Sequence, residues 1–471
     1  METNMTGQSL PSKVILVEFN ELTPNIMFDL INKGLLPNFK RFHDQSQAYT
    51  TDANESGENL NPWVQWVTVH SGLDLENHKV FKLSDGYKLK EPCIWDLVSQ
   101  NGGTSLICGS MNCSVSPSFK GALIPDPWST NVEAKPEELN AYLKFVRNNV
   151  QEHTAASKGL TPGDIVRFMA FMATHGLSMS TIIATIKQIA SERLSKTPIS
   201  WKRVNILDRF QLDLFKWYFK KLQPSFSTFF LNSTAHLQHR FWRNMDPGAF
   251  ESGPERNDLE TANAIPWGYI QMDKILGEIL DLAPADTTVI FCTALSQQPH
   301  LKHEKIGGKR AYRLRDWKAF LKSVGVTAEC EYVPIMSEEF SLRFKTESEA
   351  DHAEAVFRSL RTSDTDLFYI NRSGLDVHLC CAIRTQMKEG AQITSTNANL
   401  PALNFSEFFY QLDLVKSGSH HPHGMFWVRQ PGLPPYVEDN AVPLTQVAPT
   451  ILSILGINIP AKWKSPLINV N

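Results

Sequence analysis

The segment Val14-Ile-Leu-Val-Glu-Phe-Asn-Glu21 is a short apolar run, rich in β-branched residues, that ends in polar side chains. Such a run of four to eight residues predicts a buried strand of a parallel sheet. Further runs of the same kind begin at Ser105, Thr228 and Thr287, and stretches with helical spacing lie between them. Strands that alternate with helices predict an α/β fold with a doubly wound, mostly parallel sheet.

Two stretches of the chain interrupt this alternation. One predicted helix follows another in the first, and short strands combine with a helix in the second. We therefore predict an α/β core formed by residues 1–135, 223–299 and 403–471, with a helical insertion or cap at 136–222 and a small α+β subdomain at 300–402. Whether the helical block covers the mouth of the sheet, packs on its flank or forms a dimer surface stays open.

The composition is that of an ordinary globular protein. Of the 471 residues, 42% are hydrophobic and 20% are charged, and the formal net charge of −3 provides no broad basic surface for nucleic acid. Residues 1–12 lack the apolar core of a signal peptide, and polar residues interrupt the most apolar later stretch, 168–190, so we expect no membrane span. The seven cysteines include no CxxC pair, which favours reduced thiols in a cytoplasmic protein.

Four motifs follow one another along the chain, namely Leu36-Pro-Asn-Phe, Trp66-Val-Thr-Val-His-Ser-Gly-Leu, His239-Arg-Phe-Trp and Ala448-Pro-Thr-Ile-Leu. Their order resembles the landmarks of the alkaline phosphatase superfamily, most closely its type I phosphodiesterase or nucleotide pyrophosphatase-like branch. The resemblance covers residues 14–81, 225–298 and 404–468. It implies two divalent metal ions, usually zinc, at the carboxyl ends of the strands, and a Ser or Thr that attacks the substrate.

Five positions at which that family carries a metal ligand or the nucleophile hold other residues here. They are Asn20, Pro62, Ala235, Ala294 and Leu295. Proline cannot attack an ester, and an amide oxygen is a poorer zinc ligand than a carboxylate. The resemblance therefore implies that the metal site beside the nucleophile has been lost.

The other metal site of the family keeps part of its ligand set. The resemblance assigns His239 and His420 as metal ligands, and Glu21, which stands where glycine is usual, or His236 can complete a three-ligand site for one zinc or manganese ion. Histidines that only form hydrogen bonds inside an inherited pocket are the alternative interpretation.

The remaining site predictions concern polar residues of the same segments. We expect catalytic roles for Glu21, Asn61 and His236 and substrate-binding roles for Asn20, Arg240 and His421.

Three functions remain open at this level. The first is a hydrolase or transferase of a phosphate-, sulfate- or nucleotide-bearing substrate, with one metal ion and with water or a substrate hydroxyl as nucleophile. The second is a pseudoenzyme without a cofactor that binds a phosphorylated sugar, a nucleotide or a partner protein. The third is metal-free catalysis with a histidine as general base. Each predicts a small anionic ligand or a partner protein, excludes nucleic acid, and leaves a homodimer open.

Overall fold

The computed structural model describes residues 10, 12–83, 85–129, 131–151, 161–195, 197–254, 258–335, 338–362, 364–397, 400–412 and 415–469. The helices are α1 (Pro24–Asn32), α2 (Pro37–His43), α3 (Pro62–Ser71), α4 (Leu75–His78), α5 (Ile94–Gln100), α6 (Asn140–Gln151), α7 (Pro162–Thr174), α8 (Met179–Leu194), α9 (Val204–Leu222), α10 (Ser233–Met245), α11 (Leu259–Ala262), α12 (Ala264–Leu282), α13 (Trp317–Ser323), α14 (Glu347–Ser359), α15 (Phe405–Phe408) and α16 (Val447–Ile454). The strands are β1 (Lys13–Phe19), β2 (Gln47–Asp52), β3 (Ser105–Cys108), β4 (Gly121–Ile124), β5 (Phe226–Leu231), β6 (Thr287–Cys292), β7 (Ser296–Pro299), β8 (Tyr312–Leu314), β9 (Cys330–Pro334), β10 (Glu339–Phe344), β11 (Leu360–Thr362), β12 (Thr365–Asp366), β13 (Phe368–Ser373), β14 (Asp376–Cys381), β15 (Gln392–Ser395), β16 (Leu403–Asn404), β17 (Phe409–Gln411), β18 (Gly418–His421), β19 (His423–Arg429), β20 (Tyr436–Val437) and β21 (Val442–Pro443).

The central sheet has the strand order β20-β2-β19-β6-β1-β5-β3-β4, with β21 beside β2. The run from β6 to β4 is parallel, and β19 lies antiparallel between β6 and β2. Side chains alternate across β1, because Ile15 and Val17 belong to one apolar cluster and Val14 and Leu16 belong to another. Both faces of the sheet are therefore covered by helices, which confirms the predicted α/β class.

Two further regions surround this sheet. Helices α6, α7 and α9 add aromatic residues such as Phe168 and Phe215 to the cluster on one face of the sheet. Apolar residues between Tyr312 and Phe409 form a third, separate cluster under the small antiparallel sheets. The division of the chain into five segments stays a prediction.

Other features of the fold bear on the sequence predictions. None of the helices in the described ranges combines the length and the apolar character that crossing a bilayer demands. All seven cysteines lie within the described residues, and none forms a disulfide. Helix α12 carried no prediction, because Pro266 and Gly268 near its start obscure the helical pattern.

The polar residues of the predicted site lie along one edge of the sheet. Strands β1, β5 and β6 all end there, and β19 begins there because it runs in the opposite direction. The antiparallel pair of strands β7 and β18 lies next to this edge. Side chains that are more than two hundred residues apart in sequence are brought together in this way.

Candidate metal centre

Glu21 follows β1 in a left-handed backbone conformation, with φ of +59°. Its N–H donates to the carbonyl of Thr293, and its own carbonyl accepts from the side-chain amide of Gln238, so neighbouring elements hold the turn. This conformation costs a residue with a Cβ about 1–2 kcal/mol, which explains why glycine is usual at this position in the family that the motifs resemble. The carboxylate is buried despite that cost.

Four nitrogen atoms surround the Glu21 carboxylate. The amide of Asn20 donates to Oε1 at 2.7 Å, and the amide of Gln297 donates to Oε2 at 2.6 Å. The Nε2 atoms of His239 and His420 lie 3.1 and 3.6 Å from the same Oε2. The side chains of these two histidines keep 27% and 17% of their surface exposed, so the centre is open to solvent on their side.

The outer ring nitrogens of the two histidines fix their tautomers. Nδ1 of His239 lies 2.9 Å from the carbonyl oxygen of Gly418, and Nδ1 of His420 lies 2.7 Å from that of Leu60. A carbonyl only accepts, so each Nδ1 carries a proton, and Nε2 is the ring nitrogen that faces Glu21 in both histidines. With neutral rings, two Nε2 lone pairs and a carboxylate oxygen face one another, and they need a shared proton or a cation between them. Histidines that bind metal ions commonly donate their other ring N–H to a carbonyl in this way.

The electrostatics favour the deprotonated, metal-binding forms of Glu21 and His420. Burial alone raises the pKa of Glu21, but the charges of His420 and His239 and the hydrogen bonds from His239 and Gln297 outweigh it and lower that pKa to about 2. Burial lowers the pKa of His420 to about 4. The amide donors of Gln297 and Asn20 stabilise the carboxylate even when the imidazoles are neutral. At neutral pH the centre thus offers one carboxylate oxygen and at least one neutral imidazole.

These three residues form the one group of His, Cys, Asp and Glu side chains in the described ranges that is close enough to hold an ion. Their donor atoms all lie within 4.8 Å of one another. Two imidazoles and one carboxylate are a ligand set that catalytic zinc sites use, with a further position left for substrate or solvent. The donor chemistry therefore fits a single zinc or manganese ion.

The positions that would bind a second metal ion carry apolar or amide side chains. Ala294 and Leu295 are fully buried at the end of β6, so apolar side chains fill this part of the edge. The side-chain oxygen of Asn20 accepts from the indole N–H of Trp66 at 2.7 Å, and its nitrogen donates to Glu21 and to Asn232. Every polar atom of the Asn20 side chain therefore has a protein partner, and its role in substrate binding stays a prediction.

The other predicted site residues lie around this centre. Asn61 precedes α3 and donates its amide to the carbonyl of Glu58, and Pro62 is the first residue of that helix. His236 is exposed on α10, three residues before His239, and does not belong to the three-residue group. The guanidinium of Arg240 lies over the ring of Phe241. Their proposed roles stay predictions.

His421 is turned to its own loop. Its Nδ1 accepts from the backbone N–H of His423 at 3.2 Å, and the two rings are 5.1 Å apart. Its role in substrate binding also stays a prediction.

Sequence reasoning missed Gln297, which ties Glu21 to α10 by donating also to the carbonyl of Ala235. Its only sequence signal is its place two residues after Leu295, within a segment already singled out.

Lys416 was missed as well. Lys416 lies two residues before Gly418, and its backbone N–H donates to the carbonyl of Lys309. Burial and the charge of Lys309 lower the pKa of Lys416, and Glu338 and Glu21 partly offset this. Lys416 is therefore close enough to the centre to interact with the charge of Glu21.

Known proteins resemble this chain in structure rather than in sequence. No family model matches the sequence, and no curated protein matches it. Similar solved structures include murine ectonucleotide pyrophosphatase/phosphodiesterase 5, with 10% identity, 96% of this chain and 98% of that chain covered, and a TM-score of 0.44. Phosphonoacetate hydrolase from Sinorhizobium meliloti, in complex with phosphonoformate, has 12% identity, coverage of 95% and 96%, and a TM-score of 0.41. Wild-type alkaline phosphatase PafA has 11% identity, coverage of 98% and 99%, and a TM-score of 0.46.

All three neighbours are members of the alkaline phosphatase superfamily. At identities of 10% to 12% the likeness concerns the fold alone.

Proposed function

We propose that this protein is a hydrolase or transferase of phosphate- or sulfate-ester substrates that works with one divalent ion, zinc or manganese. The ion would be held by Glu21, His239 and His420. The observation that supports this best is the pair of imidazoles whose Nδ1–H groups are bound to carbonyls and whose Nε2 atoms converge on one carboxylate. When bound, such an ion polarises the ester and offsets the charge that develops on it.

The protein supplies the orientation of these ligands. The carbonyls of Gly418 and Leu60 hold the two rings, and the amides of Asn20 and Gln297 hold the carboxylate. Outer partners of this kind keep ligands in place and typically contribute 10- to 100-fold in metal affinity or activity, as an order of magnitude.

The attacking group is proposed to come from outside the protein chain. Pro62, at the start of α3, has neither a hydroxyl nor a backbone N–H to offer. Water or a hydroxyl of an acceptor substrate would then attack, which corresponds to hydrolysis or transfer respectively. Lys416, two residues before Gly418, would favour an anionic substrate when its side chain is protonated. A cytoplasmic location is part of this proposal and is supported by seven unpaired cysteines.

Metal analysis of the purified, untagged protein tests the proposal. We expect about one zinc or manganese ion per chain by mass spectrometry, and loss of that ion in His239→Ala and His420→Ala. The variants His236→Ala and His421→Ala are matched controls, because these histidines lie outside the three-residue group. Nitrophenyl phosphate, bis(nitrophenyl) phosphate and nitrophenyl sulfate then screen for turnover that follows the metal content. Absence of metal after reconstitution, or equal metal in all four variants, would contradict the proposal.

A binding protein without turnover is the second candidate. It is supported by the apolar residues Ala294 and Leu295 and by Pro62 in place of a nucleophile, since catalytic groups that act as a unit lose most activity together. Calorimetric binding of a nucleotide or sugar phosphate by a protein that retains its metal yet hydrolyses none of the esters would favour this candidate.

A further inference from the structure

On helix α8 most of the large apolar side chains face solvent, while several polar side chains face the protein. Thr181 is buried, and Thr185, Gln188 and Glu192 are partly buried on the inner side. Gln188 donates to the carbonyl of Ile199, and Glu192 pairs with Arg203. The outer side carries Met179, Ile183, Ile186, Ile189 and Leu194, which are 45% to 84% exposed. Surface helices ordinarily have the reverse arrangement.

Helix α7 repeats this pattern more weakly. Phe168, Phe171 and Met172 are buried against the core, whereas Ile165, Val166 and Met169 are exposed on the opposite side. Eight large apolar side chains of α7 and α8 are exposed by 41% or more. If each leaves on the order of 100 Å² in water, together they approach the ~800 Å² that one partner buries in a stable interface.

The chemistry of this apolar face favours a protein partner over a lipid surface. A helix that lies on a membrane presents Lys and Arg along its polar side and often Trp or Phe on its apolar side. Helix α8 contains no Trp or Phe, its exposed cations are only Lys187 and Arg193, and several of its polar side chains are used inside the protein. The outer residues Met179, Ile183, Ile186, Ala190 and Leu194 recur at intervals of three and four, which is the spacing with which helices pack against one another.

We infer that α8, assisted by α7, is the contact surface of a homodimer in which the same face of a second copy covers it. A two-fold interface needs only one self-complementary patch. An antiparallel pairing centred on Ile186 places this residue opposite its own copy and Ile183 opposite Ile189. Aliphatic residues then meet at the centre of the helix, where Ile182 also lies opposite Ala190. The inference is independent of the metal centre.

Sedimentation and light scattering test it with paired variants. We expect the wild type to have twice the chain mass of 53.2 kDa at micromolar concentration, and Ile183→Asp/Ile186→Asp to have the single chain mass. Leu259→Asp is the matched control, because Leu259 is even more exposed but lies on another helix, and it should stay dimeric. Unchanged far-ultraviolet circular dichroism shows that the variants are folded.

A second variant keeps the test decisive if the aspartates disturb folding. Ile186→Cys should form a disulfide-linked dimer under mild oxidation, since this residue would face its own copy across the two-fold axis, and Leu259→Cys should not. A wild type that is monomeric at every concentration, or a dimer that survives Ile183→Asp/Ile186→Asp, would overturn the inference. Binding of the monomer to phosphatidylcholine–phosphatidylglycerol vesicles would also overturn it, in favour of a lipid surface.

Discussion

Two carboxylates at one end of the same strand meet histidines in different ways. Glu18, within β1, is fully buried, and its two oxygens lie 2.7 Å from Nε2 of His70 and 2.7 Å from the hydroxyl of Ser110. Glu21, just beyond β1, has two amide donors and also faces the Nε2 atoms of two partly exposed histidines. Glu18, His70 and Ser110 form a closed group, in which both carboxylate oxygens have a partner and no solvent enters. Glu21, His239 and His420 form an open group, which has more lone pairs than donors and is exposed to solvent on one side.

This difference separates a structural histidine from a candidate ligand. The ring of His70 lies between Trp66 and Trp95, so its Nε2 has access to Glu18 and to no solvent. His239 and His420 have their protons directed away from the carboxylate by backbone carbonyls. The number of converging lone pairs and the access to solvent, more than the mere pairing of Glu with His, point to a metal centre.

Removing the closed group should have the largest effect on stability. In Glu18→Ala, His70 and Ser110 lose their buried acceptor, and breaking a buried pair of this kind costs about 3–5 kcal/mol of the free energy of unfolding. Urea denaturation followed by circular dichroism measures the loss. Glu18→Gln, which keeps an acceptor oxygen, should lose less. A change below about 1 kcal/mol in Glu18→Ala would mean that this group contributes little to the fold.

Changing the open group should mainly affect metal binding. In Glu21→Gln the charged ligand is lost while the shape is kept, and we expect zinc affinity to fall by at least about 100-fold, or about 2.7 kcal/mol. Competition with a chromophoric chelator measures the affinity. The urea midpoint should change far less than in Glu18→Ala. Equal zinc affinity in Glu21→Gln and wild type would remove Glu21 from the ligand set.

The sequence was informative where the contacts are local. The strands β1 and β6 were predicted because apolar runs identify buried strands, and His239 and His420 were singled out because they lie in recognisable motifs. Gln297 could not be predicted, because an amide that donates to a carboxylate 276 residues away leaves no local pattern. The fixed tautomers likewise depend on where the carbonyls of Gly418 and Leu60 point, which only the folded backbone determines.

The buried carboxyl group of Asp208 differs from those of Glu18 and Glu21, because its partner is a hydroxyl and not an imidazole. Asp208 of α9 accepts from the hydroxyl of Ser233 at 2.6 Å, and burial raises the pKa of Asp208 to about 7 despite this bond. The folded protein therefore favours the neutral acid. Its contribution to stability is present below a pH of about 4, the pKa of an unfolded Asp, and is lost as the pH rises through about 7.

Replacing the carboxyl group of Asp208 by an amide should prevent the loss of stability at high pH. Asp208→Asn is expected to be more stable than wild type by on the order of 4 kcal/mol at pH 8 and equally stable at pH 4. Melting temperatures across this range measure the difference, and each protein at pH 4 is its own control. A gain of the same size at both pH values would show that packing, not ionisation, is responsible.

The smallest expected effect is at Trp66, which connects the closed and open groups. Its ring stacks on His70, with 5.8 Å between centroids, and its indole N–H donates to Asn20, whose amide in turn holds Glu21. Trp66→Phe keeps an aromatic ring beside His70 but leaves the oxygen of Asn20 without its donor, which should cost about 1 kcal/mol of stability. Zinc affinity should fall by about 10-fold, because an outer partner of a ligand is lost. If stability falls and zinc affinity does not, Asn20 holds Glu21 without help from Trp66, and the two groups are independent despite sharing a strand.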